Sequence, residues 1–512
     1  MHSLSVELGI DVPMSDRTKL ATDVIRPAGG GPVPAVVVRT PYNRCTQASR
    51  GLQVDALDLA EAGYAVVIQD VRGRFASGGD FEPFVNEQAD GVDTVEWAAV
   101  QPWCNGRVGM AGISYLGFCQ LATAVRRPEP LQAIVPGLTP CDVRDGWIQP
   151  NGEANHGFNL AWMLGALLPV DPRMADPTAA LDAWARPGET AAGGSAVDRL
   201  IAASPLAGAW LEWNRPDPYA DAESVPIRDS IAGVAIPALV VAGWFDVFQP
   251  STFELSGALA ASFLVAGPWG HGGLPLPRDA GARDHGATAA FDLGGAQRAF
   301  LDRHLRDADT AAAKATVFVT GANRWESLPA WPPRTSRLAL FPASGGQLCE
   351  AAQDATVDVG LDAEDPTPSV GGRVFPWAPD LVPGPFDQSA RDARGDVLTF
   401  TSEPLLTAMT VAGPVTLTVA TDVERPEGMV FATLSDMGPD AAAWNVADGG
   451  AAVTGPSTRV ELGHAAHQFG VGHRVRLTLS FGAFPRYRWQ PVGGQRQISL
   501  GSGTRLEVGI WR

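Results

Sequence analysis

The stretch Arg107-Val-Gly-Met-Ala-Gly-Ile-Ser-Tyr-Leu-Gly-Phe-Cys-Gln-Leu-Ala-Thr-Ala-Val125 indicates a strand that turns sharply into a helix. The apolar run 108–113 predicts a buried strand, and the apolar residues that follow predict a helix. Gly112 and Gly117 flank Ser114 and let the backbone turn without clashes. Such a turn would present the Ser114 hydroxyl at the carboxyl edge of a sheet, as acyl-transfer serines are presented.

The spacing of this motif differs from the common G-x-S-x-G pattern, because Gly117 falls one place late. The chain has 57 glycines, so Gly-x-Ser-x-x-Gly can also arise by chance. A serine that only caps a helix could occur in the same sequence pattern. The stretch alone therefore leaves both interpretations open.

Length and composition limit the classes of protein that remain. A chain of 512 residues with 45% hydrophobic and 18% charged residues is typical of a folded protein of two to four domains. The net charge of −18 argues against nucleic acid or an anionic membrane as a partner, because both require basic patches. The charge does not decide between a monomer and a homo-oligomer.

The cysteines and the first residues bear on the compartment. The five cysteines are an odd number without a C-x-x-C pair, which is typical of reduced thiols. The first thirty residues carry several charges and no sustained apolar core, and no run of eighteen apolar residues follows. These features predict a cytoplasmic protein without a signal peptide or a membrane span.

Secondary-structure patterning changes twice along the chain. Short apolar runs alternate with helical stretches over residues 18–135 and again over 237–305, which predicts a parallel sheet covered by helices. Residues 142–227 show no such alternation and predict an inserted helical segment. Beyond residue 312, short alternating runs between Pro, Gly and Asp clusters predict an all-β sandwich or jelly roll.

Two further residues complete a pattern with Ser114. Asp246 directly follows the apolar run 237–245, and His271 follows the run 263–266 within Gly-Pro-Trp-Gly-His-Gly-Gly. Each residue alone could be a helix cap or a loop residue. The order Ser, Asp, His at strand ends is that of an α/β-hydrolase triad, and the three together predict nucleophile, orienting carboxylate and base.

An acyl-transfer serine also needs two donors for the oxyanion. The first would be the backbone N–H of Tyr115, the residue after the nucleophile. The second usually comes from the loop after an early strand, which here contains Tyr42 and no His-Gly-Gly-Gly motif. The Tyr42 hydroxyl is a possible donor, but a merely packed tyrosine is equally compatible with the sequence.

The sequence predicts no metal and no cofactor. His464, His467 and His473 lie close together in the β-rich part, but no carboxylate or cysteine accompanies them at ligand spacing.

These motifs together resemble the cocaine esterase family of hydrolases, relatives of X-Pro dipeptidyl-peptidases, glutaryl acylases and α-amino acid ester hydrolases. The resemblance covers nearly the whole chain, and the late glycine of the Ser114 motif fits it. It rests on Arg39-Thr-Pro-Tyr42, residues 66–79, Gly109–Gly117, Ala242-Gly-Trp-Phe-Asp246, Gly267-Pro-Trp-Gly-His271, residues 300–305, 365–372 and 472–474, and Phe484-Pro-Arg-Tyr487.

The resemblance implies an α/β fold in three domains. An α/β-hydrolase core would comprise residues 1–141 and 228–312, a helical cap residues 142–227, and a C-terminal β jelly roll residues 313–512. It further implies Ser114 as nucleophile, His271 as base and Asp246 as its orienting carboxylate. Tyr42 and the Tyr115 amide would form the oxyanion hole. Trp147, Trp162 and Phe248 resemble residues that bind the acyl group, and His473 falls in a motif with a structural role.

Three functions remain open at this point. The first is a serine carboxylesterase that cleaves small-molecule esters of bulky or aryl acyl groups. The second is an acylase, amidase or X-Pro dipeptidyl-peptidase with the same mechanism, which would need an anionic site for a substrate ammonium group. The third is a carbohydrate-binding protein with a vestigial hydrolase core. The lack of an evident signal peptide or acidic cluster favours the esterase.

Overall fold

The computed structural model describes residues 3–47, 49–50, 55–171, 200–201, 203–215, 217–222, 225–271, 283–310, 313–376, 381–421, 428–488 and 493–512. Its first ten strands are β1 (Leu4–Pro13), β2 (Lys19–Pro27), β3 (Val33–Thr40), β4 (Ala65–Asp70), β5 (Cys104–Ile113), β6 (Leu131–Gly137), β7 (Ala238–Gly243), β8 (Ser262–Gly267), β9 (Ala315–Val319) and β10 (Arg324–Leu328). The helices of the same region are α1 (Ala56–Glu61), α2 (Glu87–Ala99), α3 (Tyr115–Ala124), α4 (His156–Ala161), α5 (Ala207–Trp213), α6 (Arg228–Ile231), α7 (Gln249–Ala258) and α8 (Leu293–Leu305).

These strands form one sheet in the order β1-β2-β4-β3-β5-β6-β7-β8-β9-β10. The strands from β4 to β9 in this order run parallel, and β1, β2 and β10 add antiparallel edges. Every residue of β4 and of β7 is buried, because helices cover both faces of a parallel sheet. The predicted helix-covered parallel sheet is confirmed.

The two faces of the sheet bury alternate residues of each strand. Val37 and Val67 pack into one apolar cluster, whereas Val36 and Val66 pack into another on the opposite face. This alternation follows from the two-residue period of a strand. It explains why the strand sequences read as unbroken apolar runs.

The described chain between β6 and β7 consists of short helices joined by turns and irregular segments. It contains π-helical turns at Arg144–Ile148 and Trp162–Leu167, a 3₁₀ turn at Pro150–Gly152, and α4 to α6. Within the described part of the predicted cap, 142–227, no strand is present. Residues 172–199 of that predicted cap lie outside the described residues.

The C-terminal region is all-β, as predicted, apart from α9 (Ser389–Asp392) and short 3₁₀ turns. Its strands are β11 (Ser336–Ala343), β12 (Gln347–Cys349), β13 (Thr356–Leu361), β14 (Leu398–Thr401), β15 (Met409–Thr421), β16 (Met429–Met437), β17 (Ala443–Ala452), β18 (Ser457–Phe469), β19 (Arg474–Ser480), β20 (Gly494–Ser499) and β21 (Arg505–Trp511). Strands β13-β20-β15-β21-β11 and β12-β14-β19-β16-β17 form two sheets joined at the β11–β12 pair, and β18 pairs with β15. Side chains from both sheets share one apolar core, so the region is a sandwich. The jelly-roll connectivity stays a prediction.

Two strands lie in a different sheet from the one that the sequence predicts for them. The run at residues 315–320 is predicted to open the β-rich part, but β9 pairs in parallel with β8 and β10 pairs with β9. The predicted boundary at residues 312/313 therefore does not coincide with the edge of the first sheet. A short apolar strand has the same pattern in either sheet, so local sequence cannot assign it.

No helix in the described part of the chain is both long enough and apolar enough to cross a bilayer.

Helices α2 and α3 pack closely together at Gly91. A Cβ atom added there would lie 1.9 Å from Thr123 Oγ1 of α3. We expect Gly91→Ala to lower the free energy of unfolding by about 1–3 kcal/mol, because the overlap forces two packed helices apart. Urea denaturation followed by circular dichroism measures this.

Gly208 in α5 provides the matched control, since an added Cβ there meets no atom within 4 Å. Gly208→Ala should raise the free energy of unfolding by roughly 0.5–1 kcal/mol, because alanine is the better helix former. Equal effects of the two substitutions would contradict the close approach at Gly91.

Candidate active site

Ser114 lies at the apex of the turn between β5 and α3. Its backbone has φ 59° and ψ −127°, a conformation that a non-glycine residue adopts at a cost. A Cβ atom added to Gly112 would lie 2.5 Å from Leu116, and one added to Gly117 would lie 2.6 Å from Thr139. Both glycines therefore permit the close packing that holds the serine in this strained position, as the sequence predicts.

The structure brings Asp246 and His271 to Ser114. Strands β7 and β8 are parallel neighbours, so the loops after their carboxyl ends lie side by side. Asp246 Oδ2 lies 2.7 Å from His271 Nδ1, and His271 Nε2 lies 3.0 Å from Ser114 Oγ. A carboxylate can only accept a hydrogen bond, so Nδ1 carries the proton and Nε2 is left to accept the serine proton.

Asp246 is fully buried, and its second oxygen is also satisfied. The backbone N–H of Phe248 donates to Asp246 Oδ1 over 2.9 Å. A buried carboxylate without such partners would be costly. The two hydrogen bonds together fix the plane of the carboxylate relative to the imidazole.

Tyr42 lies beside Ser114 with its hydroxyl already engaged. The indole N–H of Trp162 donates to the Tyr42 oxygen over 2.7 Å, and the Ser114 hydroxyl lies near enough to the phenol to influence its pKa. Because the phenol oxygen accepts the indole N–H, its own proton remains free to be donated to another acceptor. Burial raises the pKa of Tyr42 well above its ordinary value, so the phenol stays a neutral donor.

Tyr115 offers two separate groups, its backbone N–H and its phenol. Its N–H belongs to the first residue of α3, where helical N–H groups have no intrahelical acceptor. Its phenol donates to Glu87 Oε1 over 2.8 Å and accepts from the Phe84 N–H over 2.9 Å. Burial, with the Glu87 charge as a second cause, raises the pKa of Tyr115, so this phenol keeps its proton.

The predicted acyl-group residues form one aromatic cluster beside His271. The Trp147 and Phe248 rings stack at 4.5 Å, Trp147 and Trp162 meet at 5.0 Å, and Phe248 meets the His271 ring edge-on at 5.3 Å. All three side chains are almost wholly buried. The bond from Trp162 to Tyr42 is a contact that the sequence did not predict.

Sequence reasoning missed two residues at the site. Phe375, from the C-terminal region, lies 5.3 Å from the His271 ring and 5.3 Å from Phe158. Glu87 of α2 is buried under Tyr115, where Arg39 Nη1 donates to its Oε2 over 2.6 Å. Phe375 lies three residues after the motif at 365–372, but nothing in the sequence around Phe375 or Glu87 points to Ser114.

The histidines of the β-rich part do not converge on one point. His464 stacks on Phe253 at 4.5 Å and accepts from the Trp331 indole, whereas His467 and His473 both bond to Asp436. Within the described ranges, no group of three or more His, Cys, Asp or Glu side chains could hold a metal ion.

Two family models match this arrangement. Residues 16–273 match the model for X-Pro dipeptidyl-peptidase (S15 family), and residues 306–505 match that for the X-Pro dipeptidyl-peptidase C-terminal non-catalytic domain. The chain belongs to the S15 family.

Known relatives agree with that assignment. The chain is 33% identical to the cocaine esterase of Rhodococcus sp. (strain MB1 Bresler). The match covers 94% of this chain and 92% of that protein. An aminopeptidase of a marine sediment Thaumarchaeota archaeon superposes with a TM-score of 0.83 at 23% identity, covering 99% of this chain and 97% of that one. An α-amino acid ester hydrolase superposes with a TM-score of 0.79 at 22% identity, covering 100% and 97%.

These comparisons confirm the predicted resemblance and fold class. The protein is a hydrolase with an α/β-hydrolase domain followed by an all-β domain. The two structural matches are below 25% identity and support the fold alone.

The buried Arg39–Glu87 pair stabilises α3, because Glu87 accepts a hydrogen bond from Tyr115 of that helix. We expect Glu87→Gln to lower the free energy of unfolding by about 3 kcal/mol, because the fully buried Arg39 loses its charged partner. Asp90, 3.7 Å from Arg39, limits the loss. Urea denaturation of the two proteins tests this.

Glu212→Gln is the control, because Glu212 pairs with the half-exposed Arg215. It should change the free energy of unfolding by less than about 1 kcal/mol. If Glu87→Gln is equally mild, Arg39 does not depend on Glu87.

Proposed function

We propose that this S15 hydrolase is a serine esterase in which Ser114, His271 and Asp246 form the catalytic triad. The observation that carries the proposal is the continuous hydrogen-bond path from Asp246 through His271 to Ser114. The homology to a cocaine esterase over nearly the whole chain supports ester hydrolysis. Without an aligned base, a serine hydroxyl is a weak nucleophile.

The proposed reaction begins when Ser114 Oγ attacks the ester carbonyl carbon. His271 Nε2 takes the serine proton as the Oγ–C bond forms, and the Asp246 carboxylate stabilises the resulting imidazolium. The carbonyl oxygen becomes an oxyanion that accepts hydrogen bonds from the Tyr42 hydroxyl and the Tyr115 N–H.

The tetrahedral intermediate then breaks its bond to the alcohol oxygen. His271 gives its proton to the leaving alcohol, and the acyl group stays on Ser114. Water attacks this acyl-enzyme while His271 accepts its proton, and a second collapse releases the carboxylic acid and returns the proton to Ser114. The cycle consumes one water and needs no other reactant.

The proposed acyl preference follows from the rings around the triad. Phe248 and Phe375 both pack against His271, and Trp147 stacks on Phe248. An aryl or bulky apolar acyl group placed beside His271 would gain more contact with these rings than a small acyl group would. We therefore propose esters of aryl or bulky apolar acids as substrates.

The nucleophile is tested with p-nitrophenyl acetate, butyrate and benzoate. We expect hydrolysis by the wild type, with the highest kcat/KM for benzoate, and a loss of at least about 10⁴-fold in kcat in Ser114→Ala. Fluorophosphonate labelling of the wild type but not of the variant would confirm the residue.

Other results would favour the alternatives. Faster cleavage of X-Pro or other amides than of every ester would assign an amidase or peptidase. A protein that is neither labelled nor active would favour a binding function.

The oxyanion donor is tested by Tyr42→Phe and by its support, Trp162→Phe. Loss of the hydroxyl should cost roughly 3 kcal/mol of transition-state stabilisation in kcat/KM. Loss of the indole N–H should cost about 1 kcal/mol, because the phenol remains but is no longer oriented. Steady-state kinetics on p-nitrophenyl benzoate measures both.

Trp213→Phe is the matched control. Its indole also donates to a buried phenol, that of Tyr219, over 3.0 Å, but this phenol contacts neither Ser114 nor His271 in the described hydrogen bonds. Phenylalanine keeps an aromatic ring against Trp162, on which Trp213 stacks at 5.5 Å, so the substitution should leave kcat/KM close to that of the wild type. A near-normal Tyr42→Phe enzyme would remove Tyr42 from the oxyanion hole.

A further inference from the structure

The hydrogen-bond path through Asp246 continues beyond the hydrolase domain. We propose that Gln249 is a positioning residue for the triad, and that the C-terminal domain holds it in place through Arg373 and the backbone at Gly463 and His464. This inference rests on the proposed function of Ser114, His271 and Asp246. It gives the C-terminal domain a part in catalysis although it supplies no reacting atom.

The Gln249 side chain is buried and uses both ends of its amide on the C-terminal domain. Its Nε2 donates to the His464 carbonyl oxygen over 2.5 Å, and its Oε1 accepts from the His464 N–H over 3.0 Å. This two-point contact imitates the pairing between two strands. A third bond comes from Arg373 Nη1, 3.3 Å from Oε1.

Strand β18 is shaped to receive this amide. Its register with β15 shifts between Thr416 and Pro414, which places a bulge opposite Gln249. Gly463 within the bulge has φ +81°, and an added Cβ would lie 2.3 Å from Gln249 Oε1 and 2.4 Å from Arg373 Nη1. Only glycine permits this backbone conformation together with this approach.

Arg373 is itself held by a buried ionic cluster. Its guanidinium donates to the Asp448 carbonyl oxygen, and its Nε lies 3.6 Å from the Asp448 carboxylate. Arg486 Nη1 donates to the same carboxylate over 2.5 Å. The cluster makes Arg373 a fixed support, because a buried charge that left Asp448 would lose its counterion.

Gln249 is connected to the triad by the turn that precedes it. The Gln249 N–H donates to the Asp246 carbonyl oxygen over 3.1 Å, and the Phe248 N–H donates to Asp246 Oδ1 over 2.9 Å. The Phe248 ring also packs on His271. A fixed Gln249 therefore also fixes Phe248. The Phe248 N–H orients the Asp246 carboxylate, and the Phe248 ring orients the His271 imidazole.

The proposal is tested with Gln249→Leu and Arg373→Lys. A displacement of about 1 Å at catalytic groups can cost on the order of 100-fold in rate, so we expect kcat to fall by about 100-fold in Gln249→Leu and by less in Arg373→Lys. KM should change much less than kcat, because Phe248, the neighbour of Gln249, is only one of the rings proposed to hold the acyl group. The downfield proton resonance of His271 Nδ1–H, observed by NMR, should weaken or disappear.

Arg391→Lys is the matched control, because Arg391 is another buried arginine of the same domain that donates to Gln388 and Thr433 instead. It should lower the melting temperature and leave kcat and the His271 resonance as in the wild type. An equal loss of kcat in this variant would overturn the proposal, since any damage to the domain would then have the same effect. Should Gln249→Leu fail to fold, Gln249→Glu keeps an acceptor for the His464 N–H and for Arg373 but sets a carboxylate oxygen against the His464 carbonyl oxygen; the resonance should still change.

Failure of this inference can be distinguished from failure of the proposed function. If Ser114→Ala is inactive while a folded Gln249→Leu keeps wild-type kcat and resonance, the triad stands and the positioning role is wrong. If the wild type hydrolyses no ester, the esterase proposal is wrong. The His271 resonance then decides the role of Gln249 alone, with loss supporting it and retention overturning it.

Discussion

The 2.7 Å hydrogen bond between Asp246 and His271 is the contact on which the site depends. It joins the loops that follow two adjacent parallel strands, β7 and β8. Neither loop alone determines the position of its residue relative to Ser114. Asp246 is buried and the His271 side chain is only 10% exposed, so solvent competes weakly and the bond keeps one imidazole tautomer. The strained serine, the aromatic rings and the turn after Asp246 are all arranged around that tautomer.

Several parts of this arrangement could be predicted from sequence because each has a local signal. Ser114 stands between glycines that a sharp turn requires, and Asp246 and His271 directly follow apolar runs that form β7 and β8. Parallel strands bring their carboxyl ends together, so local patterns were enough to place the three residues near one another. The two changes in patterning likewise predicted the helical insertion and the all-β region.

Other parts have no local signal. Tyr42 was ambiguous because the residue that orients its hydroxyl, Trp162, lies far along the chain in the insertion. Glu87, Phe375 and Gln249 look like ordinary helix or loop residues until folding places them against Tyr115, His271 and His464. The assignment of β9 failed for the same reason, because a strand's sheet is decided by its neighbours and not by its own residues.

Strand β9 lies in the hydrolase sheet, but the residue after it does not stay there. The Thr320 N–H donates to the Ala466 carbonyl oxygen, and the Gln468 N–H donates to the Thr320 carbonyl oxygen, so the chain continues directly into pairing with β18. Residues 315–320 therefore pair with strands of both domains, so the two domains cannot be separated at this point. A gene cut at the apparent junction near residue 312 would leave β8 with a bare edge, open to pairing with other chains. A chimaera of two relatives would therefore have to take residues 315–328 from the same parent as the hydrolase domain. It would also need β18 from that parent, because Thr320 pairs with β18.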